Sequence, residues 1–276
     1  MTTVATRTGV GPLLREWRER RRLSQLELAL RADSSARHIS FVETGRSRPS
    51  EELVLRLADR LDVPMRERNA LLLAAGYAPR YSESPLDGPE LGPVREGVER
   101  LLAGYEPYPA VVVDGSYTVL AANRGITMLL AGLPERLLTP PLNAMRITLH
   151  PEGLAPRILN LREWRGHLLA QMERQLALLR SEPLRRVYEE VAAYPLPEGD
   201  GAAGSGQPRG GGGLDEAATP YPYVALPLRI AHDGRVLSFI SSISTFNTPL
   251  DVTVAELAIE TLLPADPETA EYLRGL

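Results

Sequence analysis

The stretch from Leu23 to Pro49 constrains the fold of this chain most, because it reads as two short helices around a tight turn. Ser24 stands where an N-cap belongs, and Glu27 follows three residues later, which is the spacing of a capping box. Apolar residues then recur at helical spacing and predict the buried stripe of the first helix. These residues are Leu26, Ala29 and Leu30.

A second helix follows the break at Ala32-Asp33-Ser34. Ser35 can cap it, Ile39 and Val42 supply its inner face, and Gly45 can end it in the left-handed conformation that glycine adopts readily. The pattern predicts a helix-turn-helix, whose second helix can place its N-terminal residues against base edges in a major groove.

The second helix would turn one set of side chains outward, namely Ser35, Ala36, Arg37, Ser40 and Phe41. We predict that Arg37 reads a base, because a guanidinium can grip guanine with two hydrogen bonds. Gln25 begins the first helix, where its amide and the helix N-terminus suit a phosphate. Arg46 and Arg48 lie just past the second helix and suit phosphates too. The alternative is an αα-hairpin of a helical bundle with a solvated, charged face.

Several short motifs resemble the Xre/Cro-type repressors. They are Ser24-Gln25, Leu28-Ala29, Ile39, Glu43-Thr44-Gly45-Arg46 and Pro49-Ser50. The resemblance implies a five-helix DNA-binding domain. This chain has Asp33 where the family's turn usually carries glycine, and aspartate tolerates positive φ better than most residues.

Length and composition limit what the rest of the chain can be. A chain of 276 residues predicts two domains. No apolar run approaches the length of a membrane span, and the first residues lack the apolar segment of a secretory signal, so we expect a cytoplasmic protein. With no cysteine, disulfides and thiolate metal sites are excluded.

Charge is divided unequally along the chain. Residues 1–80 hold 15 arginines and 10 acidic residues, a net charge of +5, whereas residues 81–276 hold 16 arginines and 25 acidic residues, a net charge of −9. A basic head beside an acidic remainder fits a DNA-binding domain joined to a body that avoids DNA.

Composition also predicts the domain boundaries. We assign residues 1–80 to the helix-turn-helix domain, 81–106 to a Pro-rich linker with a connecting helix, and 107–276 to a second domain. The connecting helix could pack on its own domain or on a partner subunit. Residues 198–214 are rich in glycine, and because no Lys-Ser/Thr pair follows, we interpret them as a solvent loop rather than a phosphate cradle.

The second domain alternates strand and helix signals. Residues 109–123 and 221–246 each predict a hairpin around an Asp-Gly pair, helices fill the interval, and residues 254–263 predict an amphipathic helix. The chain is therefore α+β: an all-α head followed by a four- or five-stranded antiparallel sheet with helices on one face, a PAS-like layout.

No pattern in the second domain indicates catalysis. The four histidines show no metal-ligand spacing, and the strand–nucleophile–helix motif of hydrolases is missing, so we expect neither an enzyme nor a metal or cofactor.

An apolar ligand cavity is the better hypothesis for the second domain. Candidate wall residues, each more often ordinary core, are Val111, Val113, Leu120, Trp164, Leu168, Phe239, Ile243 and Phe246. Candidates for a polar head group are Asn123, Arg146, His150 and Asn160.

The order of several longer segments resembles the MmyB-like transcription regulators. These segments include ERNALLLAAGYAP, EPYPAVVVD, LHPEGLAPRILN and TPLDVTVAELAIETLLPAD. The resemblance implies a PAS-like domain that accommodates a fatty acid. The chain departs from the family at Leu161, where tryptophan is expected.

The expected partners are a double-stranded DNA operator, a small apolar ligand and a second copy in a homodimer. The alternatives are a protein-interaction module, or a regulator whose second domain is purely structural.

Overall fold

A computed structural model describes residues 9–179, 181–196 and 225–276. The chain divides into two compact units. The first comprises Met1–Gly88 with Thr248–Ala255, and the second comprises Pro89–Asn247 with Glu256–Leu276.

The first unit contains the five helices that the sequence predicts. They are α1 (Val10–Arg20), α2 (Gln25–Arg31), α3 (Ala36–Glu43), α4 (Glu51–Arg60) and α5 (Met65–Ala74). Helix α1 begins at Val10, directly after the extended residue Gly9. The helices enclose one apolar core centred on Trp17, Leu28, Ile39, Leu57 and Leu72, each of them nearly inaccessible to solvent.

Side-chain caps fix the first residue of three helices in this unit, α2, α3 and α4. Ser24 and Glu27 form both hydrogen bonds of the capping box, and Ser35 and Ser50 each accept a backbone N–H with the side-chain oxygen. Asp33 adopts φ 50° in the turn where the related repressors carry glycine. The predicted capping pattern is therefore confirmed, because it depends only on residues three or four positions apart.

The predicted stripe of α2 is right at Ala29 and wrong at Leu26 and Leu30. Leu26 and Leu30 are 59% and 74% exposed, whereas Leu28, Ala29 and Ala32 are buried. A helix of seven residues makes only two turns, so several stripes satisfy helical spacing equally well. Contacts of α2 with α3 and α4 determine which stripe is buried.

Residues Thr248–Ala255 belong to the first unit although they lie between two strands of the second. Asp251 accepts the backbone N–H of Ser84 at 3.0 Å, and Thr253 donates its hydroxyl to the Ser84 carbonyl at 2.7 Å. Val252 donates its N–H to the carbonyl of Ser82 at 2.8 Å. The sequence analysis assigned 107–276 to one continuous domain. Residues 248–255, which we call the strap, lie instead in the first unit.

The second unit is built on a five-stranded antiparallel sheet in the order β2-β1-β5-β4-β3. The strands are β1 (Ala110–Val113), β2 (Val119–Ala122), β3 (Leu228–His232), β4 (Arg235–Thr245) and β5 (Ala258–Pro264). Asp233 and Gly234 both take positive φ in the β3–β4 turn, which matches the twist of a tight hairpin.

Six helices accompany the sheet in the described residues of this unit. They are α6 (Gly92–Tyr105), α7 (Arg124–Leu130), α8 (Ala144–Leu149), α9 (Leu161–Leu178), α10 (Glu182–Ala192) and α12 (Pro267–Arg274). The short helix α11 (Val252–Glu256) lies in the strap except for its last residue. Helix α6 packs on β1, so the connecting helix lies on its own domain. All four residues of β1 are buried, which means that protein covers both faces of this strand rather than one.

The predicted helix over 254–263 is the main error in the second unit. The chain forms the short helix α11 and then β5, which pairs with β1 on one side and β4 on the other. The apolar residues of this segment fit both the helical period and the strand period. As a strand, the segment forms hydrogen bonds along both edges, which satisfies its backbone N–H and C=O groups. The Gly-rich loop 198–214 and the start of the predicted run at 221 lie outside the described residues.

Candidate functional site

The N-terminal half of α3 presents its side chains to solvent. Ser35 and Arg37 are exposed, Ala36, Ser40 and Phe41 are partly exposed, and Ile39 and Val42 are buried beneath them. The Ser35 hydroxyl accepts the His38 N–H at 3.1 Å, which fixes where the helix begins.

Two guanidinium groups lie over the Phe41 ring on this surface. The Arg37 guanidinium carbon stands 5.3 Å from the ring centroid, and that of Arg46 stands 5.9 Å away. Cation–π contacts of this length orient the two cations without neutralising them. The result is a cationic, partly apolar patch of Arg37, Phe41 and Arg46.

A buried network underneath holds α3 in place. Arg18 of α1 donates through Nε and Nη2 to the Glu43 carboxylate at 2.6 and 2.9 Å, and its Nη1 donates to the Leu23 carbonyl at 2.8 Å. Gln25 donates its amide to the same carboxylate at 2.8 Å. Gln25 is partly buried and uses an N–H of its amide to hold Glu43, whereas we expected that amide to meet a phosphate.

The Arg48 side chain is held by contacts within the first unit. Its Nε donates to the Ala75 carbonyl at 3.1 Å, Nη2 lies 3.4 Å from the Gly76 carbonyl, and the guanidinium stacks 5.2 Å from the Tyr77 ring. Arg48 therefore holds the C-terminal end of α5, and a phosphate would have to compete with these contacts.

The second unit contains an apolar cavity of about 210 Å³. Its walls come from β1, β2, β3 and β5 together with α7, α8 and α9 and the segments beside them. The lining includes Val111, Val119, Ile126, Leu129, Met145, Ile147, Leu154, Ile158, Trp164, Leu168, Leu228, Ile230 and Leu262. Thr127, Thr148 and Glu260 are the polar members of the lining.

Three of the eight predicted wall residues line this cavity: Val111, Trp164 and Leu168. The other five lie elsewhere. Val113 and Phe239 are buried in the surrounding core, Leu120 and Ile243 are 38% and 47% exposed, and Phe246 is partly exposed near the end of the sheet. Strand alternation and a bulge between β1 and β2 decide which side chains face inward.

None of the four predicted head-group residues lines the cavity, because each holds its own part of the fold. Asn123 bonds the Ala110 N–H at 2.9 Å, and Arg146 pairs with Glu190 at 2.7 Å. His150 accepts the Glu152 N–H on Nδ1 at 3.0 Å. Asn160 donates to the Pro227 carbonyl at 2.8 Å and accepts the Arg229 N–H at 3.0 Å.

Glu260 is the cavity residue that the sequence prediction missed. It lies on β5 on the same face as Leu262, and Ser241 donates its hydroxyl to Glu260 Oε1 at 2.7 Å. Burial raises the pKa of the Glu260 carboxyl, and the Ser241 hydrogen bond and the nearby His167 oppose that rise. The run Ala258–Pro264 would have placed Glu260 beside Leu262 if it had been interpreted as a strand, because alternate residues share a face.

Tyr117 adds a second polar side chain near Glu260. Its hydroxyl accepts an N–H of Gln171 at 3.1 Å. Burial raises the pKa of Tyr117 to about 12, and the Glu260 charge contributes in the same direction. The phenol therefore stays protonated at neutral pH.

The part of the chain that the structure describes offers neither a metal site nor a membrane-spanning helix. No group of three or more histidine or acidic side chains there could hold a metal ion. None of the helices described has both the length and the apolar character required to cross a membrane.

Two family models match the chain. The MmyB-like transcription regulator ligand binding domain matches residues 94–276, and a helix-turn-helix model matches residues 14–68. Comparison with curated proteins gave no significant match. Among solved structures, the clp gene regulator ClgR from Corynebacterium glutamicum is 23% identical, over 38% of this chain and 99% of that one, with a TM-score of 0.23. At that score the likeness supports no structural conclusion.

Proposed function

The chain belongs to the MmyB-like transcription regulators, and from that premise we propose that α3 reads operator DNA while the second unit responds to a small apolar ligand. The head is a helix-turn-helix and the second unit is a ligand-binding domain. The observation that carries the proposal is the exposed N-terminal half of α3, with Arg37 free of any ion pair among the described residues.

We assign the base contact to Arg37 and the neighbouring positions to groove contacts. A guanidinium at the start of a recognition helix can reach guanine O6 and N7 together. Phe41 offers an apolar edge that suits a thymine methyl group, and Arg46 suits a phosphate. Ser35, Ala36 and Ser40 surround these side chains on the same surface.

The ligand proposal rests on the apolar walls of the cavity. A cavity of about 150 Å³ with such walls binds benzene, so about 210 Å³ accommodates about eight carbon atoms. Each buried CH₂ contributes roughly 0.8 kcal/mol. A fatty acid is the ligand that the family resemblance implies, and its chain would suit these walls.

We further propose that the regulator acts as a homodimer. Helix-turn-helix dimers place two recognition helices on half-sites about 34 Å apart along one face of the duplex. A two-fold operator would then reflect two-fold pairing of the chain.

The decisive test is Arg37→Ala in the full-length protein. Binding sites would first be selected from random duplexes by the wild type, and affinity for the selected site and for unrelated DNA would then be measured. Loss of a bidentate base contact should weaken binding to the selected site by about 1–3 kcal/mol, while binding to unrelated DNA changes little.

Arg100→Ala supplies the matched control, because Arg100 is an exposed arginine on α6. Equal losses for both variants, or undiminished binding of Arg37→Ala to the selected site, would remove Arg37 from the interface. Failure of the wild type to bind any duplex at low salt would favour a protein-interaction module instead.

A further inference from the structure

Both terminal strands of the sheet in the second unit have hydrogen bonds on their outer edges. Val119 of β2 donates its N–H to the Leu142 carbonyl at 2.8 Å, and Arg229 of β3 accepts the Leu159 N–H at 2.8 Å. A strand edge with unpaired backbone groups is a template for another strand, and contacts of this kind block it. The outer edges of β2 and β3 are thus already occupied at these positions.

Strand β4 is longer than its partner β3 and leaves a further edge open. The pairing with β3 ends at Leu228 and Phe239, and the residue before Leu228 is Pro227, which has no N–H to continue the ladder. The Pro227 carbonyl instead accepts the Asn160 amide at 2.8 Å. Residues 240–245 of β4, which we call the overhang, therefore pair with β5 alone among the described residues.

The overhang directs the backbone groups of every second residue to this open edge. Ala265 donates its N–H to the Ser238 carbonyl at 2.8 Å, so Ser238 and every second residue after it form hydrogen bonds towards β5. In an antiparallel ladder the residues between them face the other side. The open edge therefore presents the N–H and C=O groups of Ser241, Ile243 and Thr245.

The composition of the overhang favours pairing with a copy of itself. Natural edge strands commonly carry a charged side chain or a proline that prevents a second strand from pairing. Residues 236–248 contain no acidic or basic side chain and no proline, and Ile240 and Ile243 are 36% and 47% exposed. Two copies of this strand would therefore bring no like charges together, and their pairing would cover apolar surface.

We propose that the regulator dimerises through the overhang, which pairs antiparallel with the overhang of a second copy of this chain. A two-fold axis at Ile243 pairs this residue with its own copy and pairs Ser241 with Thr245 of the partner subunit. Each such pair exchanges two hydrogen bonds, and no other antiparallel register uses all three outward residues. This inference rests on the proposed function as a homodimer and adds where the two copies meet.

Ile243→Pro tests the open edge without breaking the ladder to β5, because the N–H that it removes points outward and proline is tolerated on edge strands. Sedimentation velocity of the full-length protein should show a dimer for the wild type and a dissociation constant raised by about tenfold or more for Ile243→Pro. Ile243→Thr keeps the N–H and a strand-forming side chain, so its dissociation constant should stay within about threefold of the wild type. Circular dichroism of each variant verifies that the fold is retained.

Because the chain contains no cysteine, disulfide crosslinking gives a second test that does not depend on proline. The Cα atoms of a hydrogen-bonded pair lie about 5.5 Å apart, which a disulfide can span. Under mild oxidation, Ile243→Cys should form a crosslinked dimer of the full-length protein. Ser241→Cys and Thr245→Cys should each stay uncrosslinked alone, whereas an equimolar mixture of the two should crosslink.

The outcomes separate the interface from the assembly. If the wild type dimerises, undiminished dimerisation of Ile243→Pro or a missing crosslink in Ile243→Cys would overturn the overhang as the interface and leave the homodimer standing. Crosslinking of Ser241→Cys alone as efficient as that of Ile243→Cys would do the same. A wild type that is monomeric at every concentration, with and without its selected DNA site, would overturn both this inference and the proposed homodimer.

Discussion

Glu43 is the residue that joins three parts of the DNA-binding head. Its side chain is 2% exposed and accepts bonds from Arg18 of α1 and Gln25 of α2 while lying at the end of α3. A buried ion pair adds little net stability compared with an apolar pair of the same shape, but removal of one member leaves the other charge buried and uncompensated.

Replacement of Glu43 by alanine should therefore destabilise the head by about 3–5 kcal/mol. The free energy of unfolding would be measured in urea by tryptophan fluorescence in a Trp164→Phe background, where Trp17 is the remaining tryptophan. Glu43→Gln keeps an acceptor for Arg18 and should lose less. Glu52→Ala, which removes an exposed partner of Arg56, should stay close to the wild type. A small effect of Glu43→Ala would show that the buried network contributes little.

At the scale of elements, two contacts position the functional surfaces. Helix α1 crosses α3 so closely that a Cβ on Gly11 would lie 2.4 Å from the Val42 carbonyl oxygen and 2.7 Å from that of Glu43. In the second unit, β5 pairs with β1 and β4 and so carries Glu260 to the cavity. Both arrangements bring together residues that are far apart in sequence.

Gly11→Ala should push α1 away from the recognition helix, since both clashing atoms are backbone and have no rotamer to adopt. We expect a loss of about 1–3 kcal/mol in the stability of the head, together with weaker binding to DNA. The matched control is Gly9→Ala at the same end of α1, where an added Cβ meets nothing within 4 Å. Equal effects of the two substitutions would mean that the α1–α3 contact relaxes freely.

At the scale of the whole molecule, the path of the chain links the two units. The strap, Thr248–Ala255, follows β4 and precedes β5, yet its hydrogen bonds go to Ser82 and Ser84 of the first unit. Asp251 organises it by accepting the N–H groups of Ser84 and Thr253. Because these bonds lower the pKa of Asp251, despite an opposing effect of burial, the carboxylate is ionised at neutral pH.

Asp251→Ala should release the strap from residues 82–84, because hydrogen bonds to a charged acceptor are each worth about 1.5–3 kcal/mol. Hydrogen exchange read by mass spectrometry should show faster exchange in peptides covering 82–84 and 248–255, with the pairing of β1 and β5 unchanged. Asp87→Ala, an exposed aspartate nearby in sequence, is the control. Unchanged protection of the strap would show that Thr253 and Val252 suffice to hold it.

The sequence alone was informative wherever structure depends on near neighbours. Ser24 and Ser35 are N-caps as predicted, and Asp233-Gly234 forms the hairpin turn, because caps and tight turns are decided by residues within four positions. The same local signals identified the helix-turn-helix and placed Arg37 on its outer face.

Only the tertiary structure decided the features that depend on distant contacts. It buried Leu28 rather than Leu30, and it made a strand of a segment whose apolar spacing also fits a helix. Through that strand it placed Glu260, instead of Arg146 or His150, in the cavity wall. Periodicity reports which residues share a face, but the free energy of packing against other elements selects the face that becomes interior.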